Sequence, residues 1–340
     1  MIYPMKSRQI QGVKMDDFKV YVTRKIPESG LQMLEEGCGE VYIRESEEPV
    51  SKDELIEDIS NYRGLLCLLT DSIDSEVLEA ATDLRIVANY AVGYDNIDVT
   101  AASRLGIMVT NTPGILSDTT ADMAWALLMS CARRVVEADG FVRSGSFKRW
   151  EPKLLLGYDV NGKTLGIIGF GRIGRTLALR ASGFNMRVIY HDIERAPEGV
   201  EEELGAEYVD LDSLIASADF ISLHTPLTER THHLIAKPQL EAMKPSAILI
   251  NTSRGPVVDE AALSEALGAG GIAAAGLDVF EDEPKVNPEL LDLTNIVLTP
   301  HIGSASIETR AKMSEMAARN ILAAMKGETP PNLVNREALG

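Results

Sequence analysis

The stretch Thr164-Leu165-Gly166-Ile167-Ile168-Gly169-Phe170-Gly171-Arg172-Ile173-Gly174 decides the fold. An apolar run leads into a G-x-G-x-x-G turn, and a helical pattern from Arg172 to Ser182 leads out of it. In such a turn the first glycine permits the tight bend. The second lets the backbone approach a pyrophosphate, and the third lets helix and strand pack closely. The following helix offers free N–H groups and its positive dipole end to the phosphates. Asp192 ends the next strand pattern, 23 positions after Gly169. A carboxylate there accepts hydrogen bonds from the adenosine-ribose hydroxyls and repels a 2′-phosphate, which favours NAD(H) over NADP(H). Arg195, three residues further on, keeps NADP(H) open.

Outward from this turn the pattern is strand and helix in alternation. Downstream, strands are expected over Thr164 to Ile168, Arg187 to Tyr190, Phe220 to Leu223, Ala247 to Asn251, Ala274 to Leu277 and Asn295 to Leu298. Upstream they are expected over Lys19 to Thr23, Glu40 to Ile43, Gly64 to Leu69, Ile86 to Tyr90 and Met108 to Thr110. Helices fit from Pro27 to Glu36 and after cap-type residues near Ser51, Asp74 and Asp98. This alternation predicts an α/β protein with parallel sheets covered on both faces. Asn111-Thr112-Pro113-Gly114 interrupts it, and one long helix is expected from Thr119 to Gly140. A last helix is expected from Ser306 to Lys326, stopped by Gly327.

A chain of 340 residues has room for two domains. With 51 acidic against 33 basic residues the net charge is −18, which disfavours nucleic acid and anionic membrane surfaces as partners. No apolar run is long enough to predict a membrane span. Cys38, Cys67 and Cys131 are odd in number and lack metal-ligand spacing, so they read as reduced thiols of a cytoplasmic protein. Residues 1–15 are polar and are expected to form a disordered extension.

Three polar residues follow the fingerprint in order. They are Arg254 in Asn251-Thr252-Ser253-Arg254-Gly255, Glu283 in the acidic run Glu281-Asp282-Glu283, and His301 in Thr299-Pro300-His301-Ile302-Gly303. Beside a dinucleotide, a cation, a carboxylate and an imidazole suit the joint transfer of a hydride and a proton. Imidazole titrates near neutrality and serves as a general acid. Glu283 is expected to hydrogen-bond His301, fix its tautomer and favour its protonated form. The planar fork of Arg254 suits a substrate carboxylate. His232 and His233 read as surface residues, and no metal site is expected.

These pieces, with Ser222-Leu223-His224-Thr225-Pro226-Leu227-Thr228 and Gly276-Leu277-Asp278-Val279-Phe280-Glu281, resemble the D-isomer-specific 2-hydroxyacid dehydrogenase family. The resemblance runs from about Lys19 to Arg336. Residues 88–96 and Phe141-Val142-Arg143-Ser144-Gly145 resemble its glyoxylate reductase branch. It implies two doubly wound parallel-sheet domains. A flavodoxin-like substrate domain would take residues 16–111 and 305–338, and a Rossmann NAD-binding domain residues 112–304. The implied reaction is reduction of a small 2-keto acid, glyoxylate or hydroxypyruvate, with His301 as proton donor. The implied assembly is a homodimer built partly on residues 112–150.

Arg254, His301, Leu69 and the backbone of Val92 and Gly93 would then hold substrate. Asp278 would hold the nicotinamide carboxamide, while Thr225, Pro226, Thr252, Ser253 and Arg254 would line the cofactor. His224 would lie near the pyrophosphate, in a structural or a binding role. Two alternatives stand beside this reading. One is D-3-phosphoglycerate dehydrogenase, against which the loop after Leu69, Thr70-Asp71-Ser72, carries no cation. The other is a dinucleotide-sensing scaffold resembling corepressors of this family.

Overall fold

The structure, a computed structural model, describes residues 18–339, so the extension expected over residues 1–15 lies outside the described residues. The chain forms two compact units, one running to Leu116 and resuming at Ser306, the other spanning Ser117–Ala305.

The first unit contains β1 (Lys19–Val22), α1 (Glu28–Gly37), β2 (Glu40–Ile43), α2 (Lys52–Ile59) and β3 (Gly64–Cys67). It continues with α3 (Ser75–Ala80), β4 (Ile86–Asn89), α4 (Val99–Leu105) and β5 (Met108–Thr110). The strands form one parallel sheet in the order β2-β1-β3-β4-β5. The central strands β3 and β4 are buried at every residue, as a strand covered on both faces requires. Ser51, Asp74 and Asp98 each accept a backbone N–H from the first turn of the helix they precede. Residues 111 and 112 belong to this unit because Asn111 Nδ2 donates to the Val92 carbonyl at 2.7 Å and the Thr112 N–H to that of Ala91 at 2.8 Å.

The second unit opens on α5 (Ser117–Ala132) and α6 (Val135–Arg143). The single helix expected from Thr119 to Gly140 is therefore two. Arg134 takes a left-handed backbone at φ 53°, and the Ala132 carbonyl is taken by the Tyr158 N–H at 2.8 Å. Next come β6 (Thr164–Ile168), α7 (Arg172–Ser182), β7 (Arg187–His191), α8 (Glu198–Leu204), β8 (Ala206–Tyr208), α9 (Leu211–Ser217) and β9 (Phe220–Leu223). The unit ends with α10 (Lys237–Ala242), β10 (Ile248–Asn251), α11 (Glu260–Gly268), β11 (Ala274–Leu277), α12 (Pro288–Leu291) and β12 (Ile296–Leu298). Its sheet is parallel in the order β12-β11-β10-β9-β6-β7-β8. Strand β8 escapes sequence reading because it is three residues long and alternates too briefly to show a period. Neighbouring residues of β6 face opposite ways. Leu165 and Ile167 pack with α5 residues Ala124, Leu127 and Leu128, while Ile168 packs with Leu214 and Leu249. The last helix, α13 (Ile307–Met325), returns to the first unit and packs on α1. At Gly30 a Cβ would come within 2.5 Å of the Ser314 backbone, so this helix contact needs glycine.

Candidate active site

In the second unit β6 lies between β9 and β7, so the order reverses beside it. Open α/β sheets bind ligands beyond the strand C-termini at such a switch point. The fingerprint turn stands there. Gly169 has φ 92°, and a Cβ on it would meet the His224 backbone at 2.7 Å. A Cβ at Gly174 would lie 2.2 Å from the Gly169 carbonyl, so the third glycine sets the helix–strand approach. At Gly171 a Cβ would meet nothing within 4 Å, which leaves that backbone open to a ligand. Gly171 caps α7 without a side-chain hydrogen bond, so the helix N-terminus keeps its donors. The buried atoms Thr225 Oγ1, Thr252 Oγ1 and His224 Nδ1 have no partner among the described residues. Thr225 and His224 follow β9 and Thr252 follows β10, so an open backbone edge and buried polar atoms surround one switch point, as a dinucleotide requires.

The side chain of Phe170 is buried and stacks on Tyr190 with centroids 3.9 Å apart, so it serves the core. Its N–H donates to Asp192 Oδ2 at 2.6 Å, and the Ile193 N–H donates to Asp192 Oδ1 at 2.7 Å. Asp192 thus shapes the turn as well as placing a negative charge beside it. Arg195 is committed elsewhere: Nε and Nη2 reach the Glu201 carboxylate at 2.9 and 2.8 Å. The arginine, with help from the Tyr190 hydroxyl, lowers the Glu201 carboxyl to about 2. Arg172 is exposed, Ile173 packs against the core, and the Pro226 carbonyl accepts the Thr231 hydroxyl at 2.7 Å. His224 Nε2 lies 2.9 Å from Ser222 Oγ, and desolvation lowers its imidazole to about 3, so the ring is neutral.

The three polar residues expected to act together converge within this unit. His301 Nδ1 lies 2.8 Å from Glu283 Oε2, and Glu283 Oε1 accepts the Phe280 N–H at 3.0 Å. Burial opposes ionisation of Glu283. The His301 hydrogen bond and charge, the Phe280 N–H and the Arg254 charge outweigh it and hold the carboxyl below its ordinary range. His301 itself sits at φ 53°, a region non-glycine residues occupy when their surroundings impose it. Here Asp278 imposes it. Its carbonyl accepts the His301 N–H at 2.8 Å, and its buried carboxylate accepts from Thr299 Oγ1, Ile302 N and Gly303 N at 2.6, 2.8 and 2.7 Å. Sequence reasoning, which suggests only a contact with nicotinamide, misses this turn-holding work.

Arg254 follows β10 in extended backbone, and its Nη1 donates to the Ser253 carbonyl at 2.9 Å. Asn251 organises this corner: Oδ1 accepts from Ser253 N and Oγ, and Nδ2 donates to the Arg254 carbonyl. A Cβ at Gly255 would lie 1.9 Å from the Phe280 carbonyl, so the backbone after Arg254 is pressed against the loop that carries Glu283. His233, read as a surface residue, also braces that loop. Its Nε2 pairs with Glu281 and its N–H donates to the Pro256 carbonyl at 2.8 Å. His232, His233 and Glu281 are the one group of three metal-ligand types among the described residues. The two rings stack at 4.1 Å, and Glu281 pairs with His233 Nε2.

The first unit carries Leu69, Val92 and Gly93 on the loops after β3 and β4. Asn89 Nδ2 donates to the Gly93 carbonyl and Asn96 Nδ2 to that of Leu68, so side chains join the two loops. The loop after Leu69 does have a cation beside it: Arg24, from the end of β1, donates to Thr70 Oγ1 at 3.0 Å. Distance in sequence, 46 residues, hides it from a reading of the loop alone.

The model of the D-isomer specific 2-hydroxyacid dehydrogenase NAD binding domain matches residues 125–303. The chain belongs to this family. It is an oxidoreductase acting on CH–OH groups, with an NAD-binding Rossmann unit. It is 55% identical over 325 residues to a glyoxylate reductase of Thermococcus litoralis, covering 94% of this chain and 98% of that one. A solved structure from Thermus thermophilus matches with TM-score 0.88 and 45% identity, covering 93% of this chain and all of that one. An NADPH-dependent glyoxylate/hydroxypyruvate reductase of Sinorhizobium meliloti, solved with NADP and malonate, matches with TM-score 0.83 and 34% identity over 95% of this chain and 98% of that one. Among the described residues no helix is long and apolar enough to cross a membrane.

Proposed function

We propose that this chain reduces glyoxylate, and hydroxypyruvate as a second substrate, with NADH preferred over NADPH. The observation that carries this reading is the 2.8 Å contact between His301 Nδ1 and Glu283 Oε2. With Nδ1 held by a carboxylate, Nε2 is left to deliver a proton to the keto oxygen. Glu283 orients the imidazole for that transfer through its contact with Nδ1. Arg254 fits a substrate carboxylate and a polarised keto oxygen. Leu69 and the Val92 and Gly93 backbone N–H groups are assigned to the rest of the substrate. Bound NADH supplies the hydride. Gly171 and the α7 N-terminus hold its phosphates, and Asp192 takes the adenosine ribose. Thr225, Pro226, Thr252, Ser253 and Asp278 complete its surroundings. The pairing of Arg195 with Glu201 commits Nε and Nη2 of the arginine that follows Asp192 and supports NADH.

A homodimer in the cytoplasm completes the reading. Helix α6 buries none of its residues. Val136, Trp150 and Leu156 are 58%, 78% and 63% exposed, an apolar surface that a second copy would cover. Light scattering at micromolar concentration should give twice the chain mass. The test of function is a steady-state panel with NADH and NADPH against glyoxylate, hydroxypyruvate and pyruvate, and 3-phosphoglycerate in reverse. Turnover confined to 3-phosphoglycerate would defeat the reading.

A further inference from the structure

The first unit has its own topological switch point. Strand β1 lies between β2 and β3, so the order reverses beside β1, and ligands of such sheets gather beyond the strand C-termini there. Arg24 emerges from β1 at this place, and Leu69, Thr70 and Asp71 emerge from β3. Arg24 Nη2 donates to Thr70 Oγ1 at 3.0 Å, the one guanidinium nitrogen with a hydrogen-bond partner among the described residues. The Nε–H is buried and has none. Asp71 accepts the Thr23 hydroxyl at 2.5 Å and the Leu68 N–H at 2.8 Å on Oδ2, while Oδ1 stands 4.0 Å from Arg24 Nη2. The side chain of Asp71 is fully buried and that of Arg24 is 21% exposed. The carboxylate therefore lies behind the guanidinium at ion-pair distance without a hydrogen bond to it, and the arginine is the cation that presents donors beside Thr70.

The chemistry of this pair selects its ligand. A guanidinium offers five donors and no acceptor. The Asp71 charge behind it offsets part of its field, about half for a group about 4 Å in front of the guanidinium, which weakens attraction to a dianionic phosphate. A neutral oxygen that accepts a hydrogen bond suits such a donor. We infer that Arg24 is a specificity-determining residue that recognises a hydroxyl on C3 of a 2-keto acid. The inference rests on the proposed reading of Leu69, Val92 and Gly93 as substrate contacts. Glyoxylate has no C3 and makes no use of this donor; hydroxypyruvate does.

The test compares the full-length enzyme with Arg24→Met and Arg24→Lys, using glyoxylate and hydroxypyruvate as the varied substrates with saturating NADH. The readout is the ratio of kcat/KM for hydroxypyruvate to that for glyoxylate. A hydrogen bond to a charged donor is worth roughly tenfold to a hundredfold. Arg24→Met should lower the ratio by at least about tenfold, through KM for hydroxypyruvate more than through kcat. Arg24→Lys keeps a charged donor and should recover part of the loss, and it serves alone if the methionine variant does not fold. A ratio within threefold of the parent in both variants overturns the inference. Turnover of glyoxylate without any of hydroxypyruvate by the parent enzyme overturns it too, and leaves the glyoxylate reading standing. A parent enzyme that reduces neither substrate overturns both.

Discussion

The N–H of His301 donates to the backbone carbonyl of Asp278 at 2.8 Å, and the Asp278 carboxylate accepts the next two N–H groups of the same turn. One buried acid thus fixes a left-handed histidine. Asp278→Asn keeps the size but turns an NH2 group toward donors that need acceptors. The expected cost is about 1–3 kcal/mol of stability, read from urea denaturation, with at least a tenfold loss in kcat. Parent-like stability and kcat with weakened NADH binding would instead assign Asp278 to the nicotinamide.

Removal of the imidazole separates chemistry from cofactor binding. His301→Ala should lower kcat by about 10²–10⁴, the range for a lost general acid. Its NADH Kd, measured by fluorescence, should stay within threefold, because the fingerprint turn stands on β6 and α7. A large loss of NADH affinity would mean that His301 is structural.

Glu283 has a carboxyl held below its ordinary range by His301, Phe280 N–H and Arg254 against the opposing effect of burial. Its contribution to stability is complete above the unfolded carboxyl pKa, about 4.3, and is lost as pH falls through the lower folded value. Glu283→Gln should therefore flatten the acid limb of the stability profile. It should lower kcat/KM near neutrality, where the parent carboxylate is ionised. Superimposable acid limbs for parent and variant would contradict the assignment.

Regular features separate what the sequence makes legible from what it hides. The fingerprint, the parallel strands and the caps at Ser51, Asp74 and Asp98 follow local rules of period, turn and cap, and each is visible within a dozen residues. Arg254, Glu283 and His301 carry their chemistry in their side chains and stand out for that reason. The break at Arg134 depends on a carbonyl captured by Tyr158, and no local pattern encodes that contact. The Arg24–Asp71 and His233–Glu281 pairs join residues 47 and 48 positions apart and arise only when strands align. Arg24 owes its place to the reversal of strand order beside β1, a property of the whole sheet that no single segment carries.

Asp192 does two jobs, and its variants should separate them. Both oxygens accept N–H groups, those of Phe170 and Ile193, so removing the carboxylate leaves two donors short of a partner. Asp192→Ala should weaken NADH at least tenfold and also lower the melting temperature. Asp192→Asn retains one acceptor and removes the charge, so it should shift the NADPH to NADH ratio of kcat/KM upward with a smaller loss of stability. An unchanged cofactor ratio in Asp192→Asn would show that preference is set elsewhere.

His224 makes the unliganded protein sensitive to acid. Its Nδ1 is buried without a partner, and desolvation lowers the imidazole to about 3. An unfolded histidine titrates near 6.5. Between those values the unfolded state binds the proton and the folded state does not, so stability falls as pH drops below about 6.5 and the fall ends near the folded value. At pH 5 the loss from this one residue should be on the order of 2 kcal/mol. His224→Gln removes the titration, so its urea midpoint should change less than the parent's between pH 7 and pH 5, with cofactor absent from both. Parallel changes in the two proteins would mean that the ring gains a proton in the folded state, and that its surroundings stabilise the charge.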